Sequence, residues 1–348
     1  METRIVDLRS DTVTQPTPEM RRAMADAEVG DDVMHEDPTV NRLQELAADK
    51  LGKQAALFIA SGTMGNLLAV LAHATRGDEA ILGNLSHTFL FEGGGMAALA
   101  GVSPYPLPNQ PDGTLRMEDI HTAIRSKGNP HYPNSRLLIL ENTHNRCGGS
   151  PLNLEYTRQV EELARAHGLS FHIDGARIFN AAAALGVSAL ELAAPADSIT
   201  FCLSKGLCAP VGSLLCGSVD FIARARRFRK MLGGGWRQAG VLAAAGIVAL
   251  DKMTRRLGED HARAKALAQG LAEIPALELL YPDPPSNMVF ARTVESSRLT
   301  APALAEALEK LGVKINVVDE HRFRLVTHYW VDDAGIEQAL DGFRKMLK

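Results

Sequence analysis

Cysteine is scarce in this chain. Its four residues, Cys147, Cys202, Cys208 and Cys216, include no Cys-x-x-Cys pair among 348 positions. That spacing argues against the common zinc sites, and no metal is expected. Cys202 and Cys216 fall in apolar runs, where a free cysteine acts as a small buried hydrophobe. An excess of positive charge is also missing. The formal net charge of −4 argues against a protein that grips a phosphate backbone, so no nucleic-acid partner is expected. No run approaches the roughly 18 apolar residues of a membrane span. The opening Met1-Glu-Thr-Arg-Ile-Val-Asp-Leu-Arg9 is charged from its second residue and has no apolar secretory core. A cytoplasmic protein with no membrane partner is the expectation. Internal repeats, low-complexity tracts and long linkers are absent too.

What is present is an ordinary apolar fraction, 46%, in a chain long enough for one large or two modest domains. Short apolar runs alternate with helical patterns. Strands are expected at residues 55–60, 79–82, 136–141, 169–174, 198–203 and 212–216. Between them, Tyr156, Val160, Leu163 and His167 recur at helical spacing, after Asn153 as a cap and before Gly168 as a stop. Continuous apolar strands separated by amphipathic helices imply an α/β fold, a mostly parallel sheet covered on both faces. After about residue 250 the pattern changes. A helix at 251–271 precedes the Pro-rich segment 281–287. Then come a strand at 288–292, a helix at 303–311, strands near 314–318 and 323–327, and a closing helix lined by Ile336, Leu340, Phe343 and Leu347. The expected domains are 1–250, large, and 251–348, a smaller C-terminal α+β domain.

Two strand ends carry the chemistry. The run Leu169-Ser-Phe-His-Ile-Asp174 ends in an acid, and Ser198-Ile-Thr-Phe-Cys-Leu-Ser-Lys205 ends in a lysine followed by glycine. Pyridoxal phosphate (PLP) needs such a pair: a carboxylate beside its ring nitrogen and an amine for its aldehyde. Alternatively, Asp174 caps the next helix and Lys205 is an ordinary loop residue. Ser61, Gly62 and Thr63 lie between a strand and a helix, where backbone N–H groups and the helix dipole favour an anion such as phosphate. The turn matches neither a P-loop nor the dinucleotide fingerprint. Basic residues at 224–230, including Lys230, precede Gly233-Gly-Gly-Trp-Arg237, a segment suited to close approach to a phosphate or a neighbouring subunit. His87, His131 and His144 are each able to stack on a ring or move a proton, or are structural. Arg177 and Arg324 sit on or beside apolar strands, which suits a carboxylate clamp or a structural ion pair.

Taken together, these strings resemble the L-threonine aldolases, within the aspartate-aminotransferase (type I) fold of PLP enzymes. The resemblance is carried by Asp7-Leu-Arg-Ser-Asp-Thr-Val-Thr14, Val29-Gly-Asp-Asp-Val33, Asp37-Pro-Thr, Glu141-Asn-Thr-His-Asn145, Asp174-Gly-Ala-Arg-Ile-Phe-Asn180, Leu203-Ser-Lys-Gly206 and Pro210-Val-Gly-Ser213. It implies a seven-stranded sheet in the large PLP-binding domain, with the N-terminal arm contributing to the active site. It implies that Lys205 bears the cofactor, Asp174 holds the ring nitrogen and His87 stacks on the ring. Ser61, Gly62 and Thr63 would bind the phosphate, aided by Lys230 and by Arg237 from a partner subunit. Ser10, Arg177 and Arg324 would bind the amino-acid carboxylate, and His131 is a candidate in the retro-aldol step. The implied reaction is reversible cleavage of L-threonine, L-allo-threonine and related β-hydroxy-α-amino acids to glycine and an aldehyde, in a homodimer or homotetramer with shared sites. An aminotransferase or β-eliminating lyase on the same fold would share Lys205 and Asp174. One departure stands out: the family commonly reads Val-Tyr-Gly where this chain has Val33-Met34-His35.

Overall fold

In the computed structural model, residues 4–348 are described. They fall into two compact units, 16–254 and a smaller one that joins 4–15 to 255–348. The described residues form thirteen strands. They are β1 (Val6–Asp7), β2 (Ala55–Ile59), β3 (Asp78–Gly83), β4 (Ser103–Leu107), β5 (Asn134–Glu141), β6 (Ser170–Asp174), β7 (Ser198–Cys202), β8 (Ser213–Gly217), β9 (Leu277–Leu279), β10 (Met288–Thr293), β11 (Val313–Lys314), β12 (Asn316–Val317) and β13 (Arg322–Val326).

The large unit is built on a seven-stranded sheet in the order β2-β8-β7-β6-β5-β3-β4. Of the seven, β8 alone runs opposite to the other six. Every residue of β3, β7 and β8 is buried, as expected of strands covered on both faces. Helices Gly62–His73 and Val219–Met231 cover one region, packing Leu68, Ala69, Phe221, Ile222 and Ala225 on Leu57, Ile59 and Leu215. Helix Leu154–His167 begins at Asn153, whose side chain accepts from Tyr156 N, and ends at Gly168 in the left-handed region. The mostly parallel α/β sheet expected from the sequence is therefore present. The expected strands lacked β4. Its sequence, Ser103-Pro-Tyr-Pro-Leu107, carries two prolines that cannot donate to a ladder, and β4 lies at the sheet edge where that is tolerated.

In the smaller unit, β12-β13-β10-β9 form an antiparallel sheet. Its core gathers Val289, Ala291, Phe323, Leu325, Ile336, Leu340 and Phe343. The N-terminal segment belongs to this unit, because β1 pairs in parallel with β11 and Leu8 O accepts from Val326 N. The single helix expected at 251–271 is two, Gly240–Lys252 and Leu257–Ala272, with a 3₁₀ turn at Met253–Arg255 between them.

His35 is one of two non-glycine residues at positive φ among the described residues, with φ 61°. It occupies the place where the resembling family commonly has glycine. A non-glycine residue in this region is strained by roughly 1–2 kcal/mol, and glycine gives back part of that as unfolded-state entropy. His35→Gly is therefore expected to stabilise the protein by about 0.5–1 kcal/mol, read as a raised urea midpoint. A lowered midpoint would show that the exposed His35 side chain contributes more than its backbone costs.

Candidate active site

Three strand ends meet at one edge of the large sheet. Glu141 pairs with Asp174, and Asp174 with Thr200. In open parallel sheets, ligands bind at this carboxyl edge. Lys205 follows β7 by three residues, half-buried in a turn closed by Cys208 N donating to Lys205 O at 2.9 Å. Asp174 is buried; its Oδ1 accepts from Ala176 N at 3.2 Å and its Oδ2 from Asn66 Nδ2 at 2.9 Å. Burial raises the Asp174 pKa and the Glu141 charge adds to this, while Lys205, His87 and Asn66 pull it down.

Glu141 fixes the neighbouring backbone. Its Oε2 accepts from His87 N at 2.6 Å and its Oε1 from Asn145 N at 2.8 Å. The half-buried His87 ring then places Nδ1 2.9 Å from Glu92 Oε1. That bond raises the His87 pKa against the opposing effect of burial. Glu92 is itself raised, first by burial, with the Asp174 charge adding to it. His87, Glu92 and Asp174 each bring a ligating atom within 4.8 Å of the others.

Helix Gly62–His73 begins with Ser61, whose hydroxyl accepts from Met64 N at 3.2 Å. A Cβ at Gly65 would lie 2.5 Å from Thr200 Cγ2, so only glycine lets this helix sit so close to β7. The helix N-terminus, with Ser61 and Thr63 exposed, is thereby held beside the strand that leads to Lys205. A Cβ at Gly234 would meet Arg229 Cγ at 2.9 Å and Met64 Sδ at 3.0 Å. The triple-glycine segment is thus packed against the first turn of this helix. Arg237 is exposed and its Nη1 donates to Asp31 Oδ2 at 2.8 Å within the same chain; Lys230 is exposed nearby in sequence.

The Val29–Asp37 signature turns out to be structural support. Arg229, fully buried, donates from Nη2 to Asp32 Oδ2 at 2.6 Å and from Nη1 to Phe58 O at 2.7 Å. Asp37 caps two helices at once, accepting from Val40 N at 3.0 Å and Gly240 N at 2.8 Å.

Arg177 is buried at the start of helix Ile178–Leu185, three residues after Asp174. In the smaller unit, Arg324 Nη2 donates to Arg9 O at 3.2 Å, which brings it beside Ser10. Ser10 in turn caps the 3₁₀ turn Asp11–Val13. His131 is different. It lies in an exposed loop before Asn134, the first residue of β5, whereas Glu141 at the far end of that strand marks the site. Seven strand steps of about 3.3 Å separate the two ends. Within one chain, then, the structure does not bring His131 to Lys205. His144 is buried beneath Gly113 instead of lining the cluster.

Four buried or half-buried residues at the site had no role assigned from the sequence: Asn66, Glu92, His172 and Glu141, the last of which opens one of the strings that carry the resemblance. His172 was detectable in principle, because it precedes Asp174 by two and so shares its face of β6. Glu92 follows a short helix with no pattern to mark it.

PLP fits these residues. The half-buried amine of Lys205, the buried carboxylate of Asp174, the flat ring of His87 and an anion-suited helix N-terminus supply its four requirements. Known proteins agree. The β-eliminating lyase family matches residues 7–294. Low-specificity L-threonine aldolase 1 of Arabidopsis thaliana is 47% identical over 349 residues, covering 100% of this chain and 98% of that protein. The low-specificity L-threonine aldolase of Escherichia coli strain K12 is 46% identical, covering 99% of each. A solved Leishmania major threonine aldolase superposes with a TM-score of 0.83 at 20% identity, over 98% of this chain and 99% of that one, which supports the fold. The chain belongs to the β-eliminating lyase family and, within it, to the PLP-dependent L-threonine aldolases.

Proposed function

We propose that the protein cleaves L-threonine, L-allo-threonine and related β-hydroxy-α-amino acids, reversibly, to glycine and an aldehyde. The observation that carries this is the meeting of Lys205, Asp174 and His87 with the helix N-terminus at Ser61–Thr63 on one sheet edge. Bound PLP would supply the electron sink that makes breaking the Cα–Cβ bond feasible. Lys205 would hold its aldehyde carbon, Asp174 its ring nitrogen, His87 its ring face, and Ser61, Gly62 and Thr63 its phosphate. Lys230 and Arg237 would add positive charge there, Arg237 from a partner subunit. Arg177, three residues after Asp174, would hold the substrate carboxylate.

The β-hydroxyl proton needs an acceptor. With Nδ1 bonded to Glu92, His87 has Nε2 left for that task. His131 remains a candidate only as a contribution from a second copy. The decisive assay incubates the PLP-loaded protein with L-threonine. Glycine and acetaldehyde in equal amounts are expected; 2-oxobutyrate with ammonia, or amino transfer, would instead assign it to β-elimination or transamination.

A homodimer, or a homotetramer of two such dimers, is the proposed working form. A diluted monomer separated by size-exclusion chromatography should be inactive; an active monomer would overturn the shared site. We place the enzyme in the cytoplasm, where its four buried cysteines, none in a disulfide, stay thiols. No described helix is long and apolar enough to cross a membrane.

A further inference from the structure

Asn66 joins the site to the interior of the sheet. Its Nδ2 lies 2.8 Å from Glu92 Oε1 and 2.9 Å from Asp174 Oδ2. An amide nitrogen only donates, so both amide hydrogens are committed. The amide oxygen must then face His172 Nε2, 3.2 Å away, and that nitrogen must carry hydrogen. His172 Nδ1 is left to accept, and Ser198 Oγ donates to it at 2.8 Å. Ser198 Oγ accepts in turn from His73 Nε2 at 2.7 Å. Every link of this buried chain has one direction.

Burial holds both histidines neutral, His172 at about 3 and His73 at about 4. A neutral imidazole has one donor and one acceptor, as the chain requires. The same burial predicts an acid-labile fold. As pH falls below 6.5, the unfolded state takes up protons that the folded state refuses, so stability is full above that value and declines down to about 4. The drop in urea midpoint between pH 6.5 and pH 4.5 should be smaller in His172→Phe than in the wild type; an equal drop would contradict this.

We propose that Asn66 is a positioning residue for the partner of the cofactor's ring nitrogen. One amide fixes the direction of the Asp174 carboxylate and ties it to the His87–Glu92 pair, and His172 fixes the amide. The inference rests on reading Asp174 as that partner. Without the His172 N–H, the buried amide oxygen loses its partner and the amide is held by its two carboxylate bonds alone. His172 therefore acts on Asp174 without touching it.

The test compares Asn66→Leu, His172→Phe and Asp174→Asn with the wild-type holoenzyme. Three quantities are read: the PLP dissociation constant by fluorescence titration, the pH midpoint of the bound cofactor's absorption change, and the thermal unfolding midpoint. Asn66→Leu should bind PLP about tenfold more weakly, the scale of losing a donor to a buried carboxylate. It should also move the absorption midpoint by about half a pH unit or more. His172→Phe should shift both in the same direction by less. If Asn66→Leu does not fold, Asn66→Ser replaces it, since serine cannot span both carboxylates. Wild-type PLP affinity in Asp174→Asn would defeat the reading of Asp174 itself. If Asp174→Asn binds PLP weakly while the other variants change only the unfolding midpoint, Asn66 is merely structural and this inference fails.

Discussion

Lys205→Ala should lower kcat/KM for L-threonine by about a thousandfold or more, with loss of the bound cofactor's characteristic absorption band. The lysine is half-buried, and its backbone carbonyl, not its side chain, closes the turn with Cys208 N at 2.9 Å. Removing the amine leaves that backbone hydrogen bond in place, so a cooperative unfolding transition in the variant separates loss of chemistry from loss of fold. Lys205→Arg should not rescue activity, because a guanidinium stays protonated and is no nucleophile. Wild-type turnover in Lys205→Ala would refute the assignment of the cofactor-bearing residue.

The strand ends were legible because buried parallel strands are continuous apolar runs, and a charge at their end is conspicuous. Asp174 and Lys205 both announce themselves in this way. Their mutual placement was not legible. It depends on a register that sets Glu141 beside Asp174 and Asp174 beside Thr200. Asn66 was invisible for a related reason: its partners Asp174 and Glu92 are 108 and 26 residues away. The position of His131, by contrast, followed from the sequence. A histidine before an apolar strand and a Glu141 that ends it cannot share one edge of the sheet. The resemblance implies a role for His131 without saying which copy of the chain would supply it. Similarly, the glycine-rich segment suggests freedom in the sequence, yet in the fold Gly234 is small because Arg229 and Met64 press on it.

Asp174→Asn should reduce kcat by about 10²–10³-fold, the usual effect of removing one preorganised charge from a reacting centre. The substitution keeps the shape and deletes the charge. Its effect on stability should differ with cofactor. Burial raises the Asp174 pKa, with Glu141 adding to it, so the acid costs the fold stability at neutral pH without cofactor. An acid whose folded pKa is raised loses stability as pH climbs from its ordinary 3.8 through the folded value. Asparagine removes that penalty. Without PLP, the variant should gain on the wild type as pH rises from 4 to 7, even though asparagine puts a donor where Asp174 accepts from Ala176 N and Asn66 Nδ2. With PLP, the wild type should gain far more, because the ring nitrogen supplies the positive partner that the buried carboxylate favours. Thermal unfolding of both proteins, with and without PLP, measures the two effects separately. A cofactor-free variant that gains nothing on the wild type over that pH range, with an undiminished gain on adding PLP, would show that Asp174 is there to hold the fold and not the cofactor.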